Sequence, residues 1–297
     1  MENQTMAARV LDTIGDLTQE EFHQAAETAV NPQLQEYLRC SAIKALAKTK
    51  DRNCYDLFLR LVEHEAAGYV RLDTLLALGS TRDSRALFPL VNYYEHADRA
   101  ERERILMSLG ELGDPRSLAF LETILSKEEG NLRDIAFTAY QRISTSSDTP
   151  FPYRFVGEES LRTHAKESEG AIHVRNRADL ERNRIKIFNR LNTTWPQTYV
   201  ILPNGALYLG GLVHEHVEAA NGSDVIAAGE LILDTRLAVT YANNRSNGYY
   251  PGKHSLKFLD AALDSLRLEH DSKTVEVFPR EGFFDKNFLR MFPFYMD

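Results

Sequence analysis

Apolar positions in the first half of this chain recur at helical spacing, and the helical blocks themselves recur at a longer period. LRCSAIKALAKTKD from Leu38, VRLDTLLALGSTRD from Val70 and ERERILMSLGELGD from Glu101 align without gaps. LRDIAFTAYQRI from Leu132 follows the same pattern until the chain leaves it. The shared positions Leu46, Leu78, Leu109 and Tyr140 are spaced by 32, 31 and 31 residues. Arg recurs at 39, 71, 102 and 133, and Asp at 51, 83 and 114. A period held by apolar and charged positions together marks an internal repeat. Each unit reads as two helices. Asp114 and Pro115 mark a helix start, and Leu118, Phe120, Leu121, Ile124 and Leu125 follow at helical spacing. CYDLFLRLVEHE and SRALFPLVNYYE occupy the same first-helix place in earlier units. A helix pair of this size cannot bury its apolar face alone, so neighbouring units must stack. The Arg and Asp columns predict ion pairs and helix caps that tie one unit to the next.

These units, over roughly residues 20–145, resemble HEAT repeats of the short phycobilisome-lyase type, through GDPRSLAFLETIL and the recurring Asp and Arg. The resemblance implies an α-solenoid whose concave surface, lined by the second helices, binds a protein partner. If Leu38, Ile43 and Leu46 face the core, Cys40 and Lys44 point outward. Their equivalents are Leu72 and Leu76, Glu103 and Met107, and Asp134 and Thr138. Leu72, Leu76 and Met107 then form an exposed apolar patch, a common mark of a protein contact; a helical phase shifted by one residue would make them core instead.

The repeat ends near Ile143, and the fold expected overall is a short α-solenoid followed by a small α+β domain. Residues 1–145 form the solenoid, residues 146–178, opening with a Ser-, Thr- and Pro-rich stretch, a linker, and residues 179–297 the α+β domain. A polar helix is expected in DLERNRIKIFNRL, with Ile185, Ile187, Phe188 and Leu191 docking it on that domain. From Thr198, TYVILP, ALYLGGLVH, DVIAAGELIL and LAVTYANN have strand length and pattern, predicting a mainly antiparallel sheet. A helix in SLKFLDAALDSLRL and a strand in TVEVF follow. The tail GFFDKNFLRMFPFYMD is too apolar to float free, so it packs on a domain or fills a partner's groove.

Two polar clusters in the second half carry candidate chemistry. The first is His214-Glu215-His216 with Ala227-Ala228-Gly229-Glu230; the second is the run Asn243 to Pro251, NNRSNGYYP. Their order over residues 198–278 is similar to C-terminal domains of some bacterial toxin and effector proteins, and to the core of a plant family of IQ-motif calmodulin-binding proteins. Where that pattern has Gly-His-Tyr, this chain has Asn247-Gly248-Tyr249, so a second His is missing. His216 and Glu230 form a candidate catalytic pair, general base and charge-stabilising partner. Asn243, Asn244, Ser246, Tyr249 and Tyr250 are candidate ligand-binding residues. A His, Tyr and Glu on a small sheet also suggest NAD-dependent ADP-ribosyl transfer, by analogy alone. Equally, His216 reads as a satisfied structural histidine and NNRSNGYYP as a turn. Glu230, in an apolar strand, needs a partner either way. His214 and His216 on one strand face, with Glu218 or Glu230, would suit zinc, but no third ligand has diagnostic spacing. Neither a metal nor a cofactor is expected.

Composition narrows the functions. The formal charge of −8 argues against a general nucleic-acid binder, and the Arg and Lys of residues 175–190 read as a solvated helix face. The N-terminus lacks the layout of a secretory signal, and no apolar run is long enough to span a membrane. Two cysteines, Cys40 and Cys54, are too few for a disulfide framework, which fits a reducing cytoplasm. The expected function is a protein-binding adaptor, immunity-type or chaperone-like factor; the alternative is an effector-type enzyme acting through His216 and Glu230.

Overall fold

The computed structural model describes residues 17–275, apart from residues 66–67, 147–148, 167–170, 188–195 and 211–214. The aromatic tail and His214 lie outside the described residues. Among the described residues, eight α-helices belong to the first compact unit: α1 (Gln19–Val30), α2 (Glu36–Thr49), α3 (Tyr55–His64), α4 (Gly68–Ser80), α5 (Leu87–Tyr94), α6 (Arg99–Leu112), α7 (Ser117–Lys127) and α8 (Asn131–Thr145). They pair as α1/α2, α3/α4, α5/α6 and α7/α8, and the second members α2, α4, α6 and α8 pack side by side in sequence order. Leu46, Leu78 and Leu109 are fully buried at the shared apolar position.

The repeated charges do what the pattern predicts. Asp51, Asp83 and Asp114 each accept the backbone N–H two residues on, at 2.8, 3.0 and 2.9 Å, capping the turn that leads into α3, α5 and α7. The helix after Asp114 thus begins at Ser117, a few residues later than Pro115 suggests. Arg116 reaches back one repeat, where its Nη2 donates to the Ser84 carbonyl at 2.9 Å and its guanidinium lies 5.0 Å from the Phe88 ring. Arg85 stacks 4.0 Å over Tyr55, one repeat earlier. The Arg column crosses repeats as well: Arg39 pairs with Glu65, Arg71 with Glu101 at 2.6 Å, and Arg102 with Glu128 at 3.8 Å. Arg133, in the last unit, is exposed. Glu101, aligned with apolar Leu38 and Val70, departs from the apolar pattern yet is buried. Its carboxylate accepts from Arg71 Nε, from the Tyr93 hydroxyl at 3.0 Å and from the Asp98 backbone N–H at 2.9 Å, closing a capping box on α6.

Small residues set how closely the second helices approach. A Cβ on Gly79 would lie 2.2 Å from the Ser108 carbonyl oxygen, and one on Gly110 3.1 Å from the Ala139 Cβ. Gly79 and Gly110 are one repeat apart, so the same device joins α4 to α6 and α6 to α8.

The second compact unit is an α+β sandwich around a six-stranded sheet of order β1-β3-β2-β4-β5-β6. The strands are β1 (Ile172–Val174), β2 (Gln197–Ile201), β3 (Leu207–Gly210), β4 (Ala227–Leu233), β5 (Val239–Asn243) and β6 (His270–Val275). Every pairing is antiparallel except β5 with β6, which are parallel. The expected mainly antiparallel sheet is therefore present. Its last strand begins four residues earlier than TVEVF and runs parallel, because α13 (Leu256–Ser265) carries the chain back across the sheet. Leu259, Ala262 and Leu263 of α13 close one face, over Tyr199, Ile201, Leu231 and Val239. The other face is covered by Ala165 of α9 (Glu159–Ala165), Val217 and Ala219 of α12 (His216–Ala219), Tyr153 and Tyr249.

Two expectations fail in this unit. Residues 146–178, read as a linker, include β1 and α9, and Tyr153 exchanges backbone hydrogen bonds with Val225 at 2.7 and 3.0 Å. Ser and Pro marked a loop correctly, but a loop with a buried tyrosine is part of the domain. The polar helix appears as two short pieces, α10 (Arg177–Arg182) and α11 (Arg184–Ile187). Leu180 and Ile187 are buried in the sheet's core, whereas Ile185 is 95% exposed; Phe188 and Leu191 lie outside the described residues.

Candidate functional site

Helical phase decides what the second helices show to solvent. On α4, Tyr69, Leu72 and Leu76 stand at i, i+3 and i+7, one stripe of the helix. Tyr69 is 73% exposed, and Leu72 and Leu76 are half-buried. Met107 on α6 is 40% exposed, Glu103 is half-buried, and Asp134 and Thr138 on α8 are exposed. On α2, Lys44 is exposed but Cys40 is not. Its thiol is buried beside Asp73 and pushed up to about 11, chiefly by loss of solvent, so the outward placing of Cys40 is corrected. The neighbouring helix α4 covers it. Tyr37, one repeat before Tyr69, is 55% exposed and continues the stripe onto α2. Sequence reasoning passed over both tyrosines, although each stands one residue before an aligned core position, 32 residues apart.

This face carries a groove of about 470 Å³ between α4, α6 and α8, floored by Leu76, Met107, Gly110, Ile135 and Ala139 and edged by Glu111, Asp134 and Arg142. Leu72 lies one turn from Leu76, outside the lining. Arg142 clamps Glu111 with Nη1 and Nη2, one to each carboxylate oxygen, so these two rim charges satisfy each other. The groove is thus apolar at its floor and nearly neutral at its edge. A second groove, of about 660 Å³, lies between α1, α2 and α3 over the buried Arg39–Glu65 pair.

The polar cluster of the α+β unit is organised by strand alternation. Glu230 on β4 and Asn243 on β5 share one sheet face, opposite Leu231 and Ala242. Asn243 binds Glu230 twice: its Oδ1 accepts the Glu230 backbone N–H at 3.0 Å, and its Nδ2 donates to the carboxylate at 3.1 Å. The same Oδ1 accepts the Arg245 N–H at 2.8 Å. This is the partner that Glu230 required. A Cβ on Gly229 would lie 1.9 Å from the Asn243 carbonyl oxygen, which also accepts the Tyr199 hydroxyl at 2.9 Å. Ala-Ala-Gly-Glu is therefore shaped by the strand it adjoins.

His216 is the first residue of a helical turn rather than part of a strand. Its Nε2 lies 3.0 Å from the Gly229 carbonyl. Burial pushes its pKa down to about 4, against the raising influence of that carbonyl and of Glu230. At neutral pH it is uncharged, with Nε2–H donating to Gly229 and the lone pair on Nδ1. Asn244 donates to the Pro251 carbonyl at 2.9 Å, and the Tyr249 hydroxyl to the Ser223 carbonyl at 2.8 Å, with the Tyr249 ring edge-on to Phe155. Ser246 is buried, and its hydroxyl has no hydrogen-bond partner among the described residues. In this run the left-handed conformation expected of Asn or Gly is taken by Tyr250, which is half-buried. Thus the structure gathers His216, Glu230 and Asn243 into one cluster, and holds Asn244 and Tyr249 as packing elements of the adjoining loop. No group of three or more His, Cys, Asp or Glu side chains suited to a metal occurs among the described residues. Near α10, Arg175 and Arg182 pair with Asp179, and Arg177 and Arg184 with Glu181, so two carboxylates offset about half of the charge of four guanidinium groups.

The first unit is a stack of helical repeats presenting one face of second helices, the architecture of a repeat scaffold. A family model for HEAT repeats matches residues 66–141, and this part of the chain is HEAT-like. Repeats of this kind are generally protein-interaction scaffolds, compatible with an adaptor role. A search of curated proteins finds no match. The resemblance of residues 198–278 to toxin, effector and IQ-motif domains has no counterpart in the family match, which ends at residue 141. No helix among the described residues is long and apolar enough to cross a membrane.

Proposed function

We propose that this protein is a binding adaptor whose helical repeats engage a protein partner through the exposed face of α2, α4, α6 and α8. One observation carries the reading: Tyr37, Tyr69, Leu72, Leu76 and Met107, drawn from three successive second helices, form a stripe of solvent-facing apolar side chains on one face. Such side chains gain from being covered, and aromatic and Met residues are enriched in protein contacts. A protein fits this face better than a nucleic acid, because the chain carries a formal charge of −8 and the groove edge supplies no cationic excess. A cytoplasmic location accords with the two free buried thiols. His216 and Glu230 spend their observed contacts on the sheet itself, so the reading rests on the helical unit. An immunity-type or chaperone-like role would use the same surface.

The test is an affinity pull-down from native lysate, read by mass spectrometry, with wild type and a Leu72→Glu/Met107→Glu variant whose urea midpoint matches wild type. One stoichiometric protein retained by wild type and lost by the variant is expected. A partner held equally by both would move the interface off this face.

A further inference from the structure

The groove between α4, α6 and α8 constrains the form of its occupant as well as its existence. Its walls are helices, whose backbone N–H and C=O groups are already paired within themselves along the groove. Among the described residues no strand edge lines it to receive an added strand. An extended peptide would bring unpaired main-chain groups onto an apolar floor, which is unfavourable. A helix brings none.

Dimensions agree. Neighbouring packed helices lie about 8–10 Å apart, so the span from α4 to α8 is about 16–20 Å. An occupant helix laying apolar side chains at i, i+4, i+7 and i+11 covers about 16 Å at 1.5 Å per residue. Leu76, Met107 and Ile135 offer one apolar contact on each of the three wall helices.

Charge sets the orientation of that helix. Of the three charged side chains at the edge, Glu111 and Arg142 bind each other. Asp134 is exposed, and its carboxylate makes no ion pair among the described residues. The unmatched charge at the rim is therefore one negative group beside Ile135. We infer that the groove takes an amphipathic helix of a partner protein, with an apolar stripe over Leu76, Met107 and Ile135 and a Lys or Arg on the flank facing Asp134. This inference rests on the helical unit being a protein-binding scaffold and specifies what it binds.

The probe is a displayed library of eighteen-residue amphipathic helices, selected on the full-length protein. Selected peptides are then measured by fluorescence anisotropy against wild type, Met107→Glu and Asp134→Lys; both positions are exposed, and wild-type urea midpoints confirm folding. The expected consensus has apolar residues at i, i+4, i+7 and i+11 and a basic flank. Met107→Glu should weaken binding by about tenfold or more, the loss typical of an interface anchor. Asp134→Lys should weaken it by about threefold to tenfold, and replacing the peptide's basic residue with Glu should restore it. An acidic consensus, or peptides indifferent to both variants, overturns the inference. If such peptides are instead weakened by Tyr37→Ala, the scaffold reading stands and only this groove is wrong. A stoichiometric partner in the pull-down with no helix selected likewise overturns the helical occupant alone. A chain ending at residue 281 that binds the peptides more than about tenfold tighter would make the aromatic tail the resident occupant, and the assignment to a partner would fall.

Discussion

Glu101 and His216 show how much a single buried polar group depends on its surroundings. Glu101 sits at an apolar position of the repeat, yet it joins Arg71, Tyr93 and the start of α6. Removing one member of a buried pair strands the other, so Glu101→Ala should destabilise the helical unit by about 3 kcal/mol in urea unfolding. A change of less than about 1 kcal/mol would mean that solvent already satisfies Arg71. His216 makes a pH prediction. Its folded-state pKa, about 4, lies below the ordinary 6.5, so the unfolded chain binds more protons between these values. Its contribution to stability is complete above about pH 6.5 and is lost as pH falls towards 4. The difference in urea midpoint between wild type and His216→Gln should therefore shift against wild type across that window. A pH-independent difference would show that the imidazole is not buried as described. Of the polar residues singled out from sequence, Glu230 was correctly marked as needing a partner, but Asn243 as that partner depends on the β4–β5 register.

Among elements, the close packing of second helices yields a graded test. The Ser108 backbone lies where a Gly79 side chain would go, and backbone cannot move aside without shifting α6. At Gly110 the neighbour is the Ala139 Cβ, and a few tenths of an ångström suffice. Gly79→Ala should thus lower the unfolding midpoint clearly more than Gly110→Ala, by a difference of about 1–3 kcal/mol, the range of overpacking penalties. Equal effects would show that α4 and α6 are more loosely coupled than drawn. Helices α2 to α8 were legible, since each has its own apolar positions and Asp51, Asp83 and Asp114 mark the turns into α3, α5 and α7. His216 in a helical turn was less so. Four residues cannot display a helical period, and the preceding run ALYLGGLVH has strand length and pattern.

At the scale of the whole molecule, two compact units with separate cores predict separable unfolding. Urea titration followed by far-UV circular dichroism should show two transitions. Gly79→Ala should move one and Gly229→Ala the other, because the latter drives a Cβ into the Asn243 carbonyl within the sheet. Both variants shifting a single shared transition would mean that the units unfold as one. The existence of two units was plain in the sequence, from the change of period near Ile143. The boundary was not, because residues 149–174 look like a loop until Tyr153 and β1 are seen against the sheet.

Residue order alone carries the repeat, its length and the roles of the Arg and Asp columns, whereas the phase that exposes Leu72, Leu76 and Met107 stays open there between surface and core. The repeat and its columns follow from spacing along one helix or between equivalent places in successive units, which is written into residue order. Only the tertiary structure decided that Glu101 is buried, that α4 covers Cys40, that Tyr37 and Tyr69 extend the apolar face, and that Glu230 answers to Asn243. These depend on contacts between residues far apart in the chain, where register and packing rather than local period choose the neighbour.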